Sequence, residues 1–145
     1  MKKNKLIKSV ISWVLYIAIL VGLVWSIPKG LSYFLKTPYP MASITSSSMW
    51  PALKEGDLVF IKGIENKEEV NVGDIVVYEN YQGFTIHRVI RKGDDFLVTK
   101  GDANNTADPV IKYSELVGKA VFINGKVLRL PGLGSISLAI NKVEI

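Results

Sequence analysis

The 145-residue chain has no cysteine and a single histidine, His87. The first absence excludes disulfide staples, thiolate zinc sites, iron–sulfur clusters and any thiol nucleophile. The second excludes a metal site built from several imidazoles. Excess charge is also missing where a polyanion would need it. The formal net charge is +5, but Lys2, Lys3, Lys5 and Lys8 all precede the first acidic residue. The remaining body is nearly neutral, so no broad electrostatic footprint for nucleic acid exists. Internal repeats and low-complexity tracts are absent as well. With 48% hydrophobic residues in this length, one packed domain is expected and wholesale disorder is not.

One long stretch lacks charge altogether: Ser9 to Pro28, 20 residues. As a helix rising ~1.5 Å per residue it covers about 30 Å, the hydrocarbon thickness of a bilayer. Trp13, Tyr16 and Trp25 lie nearer its ends, where amphipathic rings favour the interface, and Lys8 and Lys29 bracket it. Four lysines before the run predict a cytoplasmic N-terminus and an external body. A cleaved secretory signal is the rival reading, but its apolar core runs only roughly 7–15 residues. Nor does an Ala-x-Ala-like site follow here. The expected organisation is a cytoplasmic basic segment over 1–8, a transmembrane helix over 9–28, a membrane-proximal segment over 29–44, and an extracytoplasmic β-rich domain over 45–145. Lys36, Pro38 and Pro40 argue against a second span, while Tyr33, Phe34 and Tyr39 suit a segment on the outer bilayer surface. The tail from Leu130 is too short to span, and either completes the core or touches lipid.

Beyond the anchor, β-branched runs recur between turn signals. Leu58–Ile61, Asp74–Tyr78, Phe84–Ile90, Phe96–Thr99, Ala120–Ile123 and Val127–Leu130 are the expected strands. Gly93-Asp94-Asp95 and Asn124-Gly125 are hairpin turns, the second of the two-residue type I′ kind, because both residues accept positive φ. The fold class is therefore mainly β, a small antiparallel sandwich or barrel-like domain behind a single N-terminal transmembrane helix. A single helical turn is expected near Tyr113–Leu116.

Three stretches could carry chemistry. Thr45-Ser46-Ser47-Ser48-Met49-Trp50-Pro51, followed by Gly56-Asp57, reads by itself as a polar turn or cap. Its place after an apolar stretch, with Met49 as an apolar residue able to sit at the bilayer surface, gives the serines a second meaning. His87 lies in Phe84–Val89, where alternation puts Thr85, His87 and Val89 on one face. It is the one side chain whose ordinary pKa permits proton shuttling near neutrality. Thr99–Pro109 is a polar loop in which Asp102, Asn104, Thr106 and Asp108 alternate. An EF-hand would require Gly at Ala107 and Glu at Tyr113, so calcium by that motif is not expected. The alternative is that one of the two aspartates orients the histidine. Hydroxyl, imidazole and carboxylate together are the parts of an acyl-transfer triad.

Ser46-Ser47-Ser48-Met49-Trp50-Pro51 with Gly56-Asp57 resembles the S-x-S-M-x-P…G-D box of type I signal peptidases. His87-Arg88-Val89 is similar to the next box, and Gly101-Asp102-x-Asn104-x-x-x-Asp108 to the last. A histidine where most bacterial members have lysine resembles the ER-type branch, found in archaea, the endoplasmic reticulum and some Gram-positive bacteria. The resemblance implies a membrane-anchored serine endopeptidase that removes N-terminal signal peptides from secreted or membrane precursors. It makes Ser48 the nucleophile, His87 the general base, Asp108 the orienting acid and Asp102 a support of the site. It places Ser46 and the Ser48 N–H at the oxyanion hole, and small residues at the substrate's −1 and −3 positions. Trp50 and Ala103 depart from the family pattern at positions without proposed chemistry. No metal or organic cofactor is implied.

The implied partners are signal-peptide-bearing precursors and membrane lipid, with accessory membrane subunits as a further expectation and no nucleic acid. The implied location is the cell membrane. Two other readings stay open on the sequence. One is the same peptidase with a lysine base, Lys62 or Lys100, whose pKa burial would have to depress. The other is a non-catalytic, membrane-tethered β module that assists surface-protein assembly.

Overall fold

The computed structural model describes residues 2–81 and 83–136, with side chains from residue 5 onward. Helix α1 spans Lys2–Leu35. It contains the whole charge-free run and continues past Pro28, whose ring nitrogen has no proton to give the preceding turn. Residues 29–35, expected in a membrane-proximal segment, are thus helical. Two hydroxyls of the run fold back onto the helix backbone: Ser12 Oγ donates to the Lys8 carbonyl at 3.0 Å, and Ser26 Oγ to the Leu23 carbonyl at 3.4 Å. Such back-bonding hides polar atoms within the apolar cylinder. The portion Lys5–Leu35 is long and apolar enough to cross a membrane. This helix and the body beginning at Leu35 are separate compact units.

The body is an antiparallel sheet. In chain order its strands are β1 (Met41–Ser43), β2 (Leu58–Lys62), β3 (Ile75–Asn80), β4 (Gly83–Lys92), β5 (Phe96–Lys100), β6 (Ile111–Lys112), β7 (Leu116–Ala120), β8 (Phe122–Ile123), β9 (Lys126–Val127) and β10 (Arg129–Leu130). The spatial order is β1-β2-β7-β3-β4-β5-β6, with β10 beside β2, and β8-β9 form a separate hairpin. That hairpin turns through Asn124 (φ 51°) and Gly125 (φ 74°), the conformation expected from the sequence. One turn of 3₁₀ helix covers Tyr113–Glu115.

Sequence and structure agree on the long strands and differ at the short ones. The run expected at Ala120–Ile123 is divided. Ala120 closes β7, Phe122 opens β8, and the Val121 N–H between them donates to the Phe60 carbonyl. β7 itself was hidden by Gly118 and Lys119. The glycine is needed there, because a Cβ would lie 2.5 Å from the Lys62 carbonyl oxygen of the neighbouring strand.

β3 organises the core, since four successive residues are buried. Ile75 and Val77 join Ile44, Met49, Leu53, Val59, Ile61 and Ala120 on one side. Val76 and Tyr78 join Val70, Val89, Leu97 and Ile111 on the other. A strand with apolar packing on both faces reads as a continuous β-branched run, as Ile75-Val76-Val77 does. The tail turns back on the body, where Gly134 is buried and a Cβ there would meet the Asp57 carbonyl at 2.5 Å. Leu133 and Ile136 beside it are exposed; the rest of the tail, from residue 137, lies outside the described residues.

Candidate active site

The serine loop is closed at its base by the backbone. The Ile44 N–H donates to the Asp57 carbonyl at 2.9 Å, and the Gly56 N–H donates to the Ile44 carbonyl at 2.8 Å. Gly56 stands at φ +85°, where a side chain would be strained. Asp57 is nearly inaccessible, accepting from the Lys54 N–H and pairing with Arg129. Inside the loop the Trp50 N–H donates to the Ser47 carbonyl and the Leu53 N–H to the Met49 carbonyl. Met49 and Leu53 are fully buried in the core beside β3. Met49 is therefore not a lipid-facing residue; it anchors the loop, and half-buried Ser48 precedes that anchor.

His87 sits in the middle of β4, opposite Val76 of β3, and is 8% exposed. Its Nε2 lies 3.2 Å from Ser48 Oγ, and its Nδ1 lies 2.6 Å from Asp108 Oδ2. Ser46 Oγ is 3.1 Å from Ser48 Oγ. The three sequence stretches thus meet. A second hold on the carboxylate comes from Thr99, whose hydroxyl donates to the same Asp108 Oδ2 at 2.7 Å.

Asp102 is placed differently. Arg88 Nε and an Nη donate to its two carboxylate oxygens at 2.8 and 2.7 Å, a bidentate pair, while the other Nη donates to the Gly73 carbonyl. These bonds and the carboxylate charge raise the Arg88 pKa against the opposing effect of burial. The turn that Asp102 occupies reaches Ser48, because the Ala103 N–H donates to the Ser48 carbonyl at 2.8 Å. Only glycine fits at 101, where a Cβ would approach that same carbonyl oxygen to 2.7 Å. The Ala103 departure costs nothing at this contact, since the backbone makes it. Trp50, the other departure, is half exposed, with Lys54 Nζ 4.8 Å from its ring centroid.

Both aspartates of the loop are engaged, Asp102 with Arg88 and Asp108 with His87 and Thr99. Among the described residues no group of three His, Asp or Glu side chains is arranged to hold a metal. Lys62 Nζ lies 3.7 Å from Glu69 Oε2 and so serves another contact. A cavity of about 300 Å³ opens beside the Ser48–His87 pair, with Ala42, Ser43, Ile86 and Val77 in its lining. A neighbouring cavity of about 260 Å³ is lined by Tyr39, Met41, Val77, Phe84 and Val117.

Sequence reasoning missed the Arg88–Asp102 pair, the Thr99 bond and the Asp57–Arg129 pair. Arg88 carried a signal, since a charge beside His87 on a strand must point to the opposite face. Thr99 carried none, because its partner is set by the return of a loop.

Comparison with known proteins adds independent support. The Peptidase S24-like family matches residues 27–128. The signal peptidase complex catalytic subunit SEC11 of Colletotrichum graminicola is 32% identical over 140 residues, 90% of this chain and 81% of that protein. SEC11 of Chaetomium globosum is 35% identical over 124 residues, 79% and 71% of the two chains. The Sclerotinia sclerotiorum protein is 34% identical over 139 residues, 89% and 80%.

Proposed function

Because the chain belongs to the Peptidase S24-like serine peptidases, in the ER-type branch of type I signal peptidases, we propose that Ser48, His87 and Asp108 form its catalytic triad. The continuous contact from Ser48 Oγ through the imidazole to Asp108 Oδ2 carries this reading. A serine hydroxyl is a weak nucleophile until a base removes its proton. As Ser48 Oγ attacks the scissile carbonyl carbon, His87 Nε2 takes that proton. Asp108 accepts from Nδ1–H, fixing the tautomer and stabilising the imidazolium. The tetrahedral intermediate collapses as His87 protonates the leaving amine. Water then attacks the acyl-ester, giving up its proton to His87, and the carboxylate product departs.

The negative charge on the carbonyl oxygen needs donors already in position. The Ser46 hydroxyl and the Ser48 N–H are the proposed pair, supported by the 3.1 Å approach of the two serine hydroxyls. Asp102 acts at a distance, through the turn whose Ala103 N–H holds the Ser48 carbonyl. The two small cavities beside the triad suit the compact side chains that the family takes at −1 and −3.

We further propose that α1 anchors the enzyme in a bilayer, with its basic start in the cytoplasm and the body outside. Precursors carry an apolar segment into the same membrane, so tethering raises the effective concentration of the scissile bond. The relatives are catalytic subunits of a complex, which supports accessory membrane subunits for this chain. The test is incubation of the full chain, reconstituted in lipid, with a secretory precursor. Native protein should release a fragment whose mass identifies a cut after a small residue, and Ser48→Ala should release none. Cleavage by Ser48→Ala at the native rate would end the proposal.

A further inference from the structure

We propose that Thr99 is a positioning residue for the Asp108–His87 couple, its hydroxyl holding in place the carboxylate oxygen that faces the imidazole. This rests on the triad reading above and extends it to a residue that no motif marks.

Thr99 is the penultimate residue of β5 and is completely buried. It touches Asp108 twice. Its carbonyl accepts the Asp108 N–H at 2.8 Å, fixing the main chain of the returning loop. Its Oγ1 donates to Asp108 Oδ2 at 2.7 Å, fixing the side chain. The oxygen that takes the hydroxyl proton is the same one that lies 2.6 Å from His87 Nδ1. Two donors therefore converge on one acceptor atom from different strands, β4 and β5. With the backbone bond alone, the carboxylate would be free to rotate about its own side-chain torsions.

Tyr78 stands close by. It is buried on β3, lies opposite Thr85 of β4, and lines one cavity with His87 and Asp108. Burial, reinforced by the charge of Asp108, raises its pKa, so the phenol keeps its proton. The Thr99 hydroxyl thus holds the carboxylate at the oxygen that also meets the imidazole. Glu79, Tyr81 and Glu115 are the other titratable groups of the cavity that Tyr78, His87 and Asp108 line; substitution at Thr99 alters none of them.

A merely structural threonine would fill space and satisfy its own hydroxyl. Substitution separates the two roles. Thr99→Val keeps the shape and removes the donor, whereas Thr99→Ser keeps the donor and removes a methyl. In the full chain reconstituted in lipid, Thr99→Val should lower kcat by roughly ten- to hundredfold with KM unchanged, the effect of losing one hydrogen bond to a charged group, and Thr99→Ser should retain the native kcat. Because the protein has one histidine, proton NMR of the detergent-solubilised full chain follows this imidazole without ambiguity. The resonance of its Nδ1 proton, shared with the Asp108 carboxylate, should move or broaden in Thr99→Val, since a carboxylate that wanders holds that proton less uniformly, and should stay native in Thr99→Ser. A native kcat in Thr99→Val, a loss of kcat with an unmoved resonance, or an equal loss in Thr99→Ser overturns the proposal. Should Thr99→Val fail to fold by thermal melting, Thr99→Ala is read in the same two assays against the same outcomes. Ser48→Ala in parallel keeps the two claims apart. If it is inert while Thr99→Val is native, only the role of Thr99 is lost; if it cuts, the triad itself is lost.

Discussion

The two faces of β4 do different work with similar parts. His87 and Arg88 are adjacent, so strand alternation sends them to opposite sides. Each meets an aspartate from the same loop, Asp108 and Asp102 respectively. The imidazole contact continues to the Ser48 hydroxyl, while the guanidinium contact continues, through the Ala103 N–H, to the Ser48 carbonyl. On the proposed mechanism one pair handles a proton that moves during the reaction, and the other holds geometry with charges that stay put. A titratable base belongs where protonation must change, and a permanent cation where it must not.

That contrast can be broken by exchanging acids for amides. Asp108→Asn should cost about 10⁴-fold in kcat, the scale for losing the group that fixes the imidazole tautomer, while thermal melting moves little. Asp102→Asn should cost less activity, roughly tenfold, and lower stability by about 1–2 kcal/mol as a partly buried guanidinium loses one ionic partner. Equal kinetic losses in the two variants would erase the distinction between the faces.

A pH series sharpens the same point. The raised Arg88 pKa means that its contribution to stability is complete below the ordinary guanidinium range and is lost only as pH rises through that range. Across pH 5–9 the Arg88–Asp102 hold is therefore constant in the arginine's charge. On the proposed mechanism, single-turnover cleavage should fall on the acid side as the base is protonated. A flat acid limb, with chemistry rate-limiting, would contradict an imidazole base. The smallest effect should come from Lys36 and Glu65, which pair at 2.9 Å with both side chains more than half exposed. Glu65→Gln should leave activity and melting temperature at native values.

How much of this was legible beforehand follows from length and period. β3, β4 and β5 carry enough β-branched residues to declare themselves, and so does the Asn124-Gly125 turn. β1 and β6, three and two residues long, are too short to show an alternation. Met49 was misplaced because its neighbours are polar on one side and Trp-Pro on the other, so no pattern pointed it inward. The site residues were visible as types, but the choice between Asp102 and Asp108 depends on how a loop returns to β5. No local pattern encodes that return.

The dispersal of the proposed triad has a consequence for biosynthesis. Ser48 and His87 are 39 residues apart, and His87 and Asp108 another 21. Ribosomes deliver the hydroxyl first and the carboxylate last, so on the proposed triad a nascent polypeptide halted before residue 108 would lack its orienting acid. Cleavage would then await closure of the sheet that brings the three side chains together.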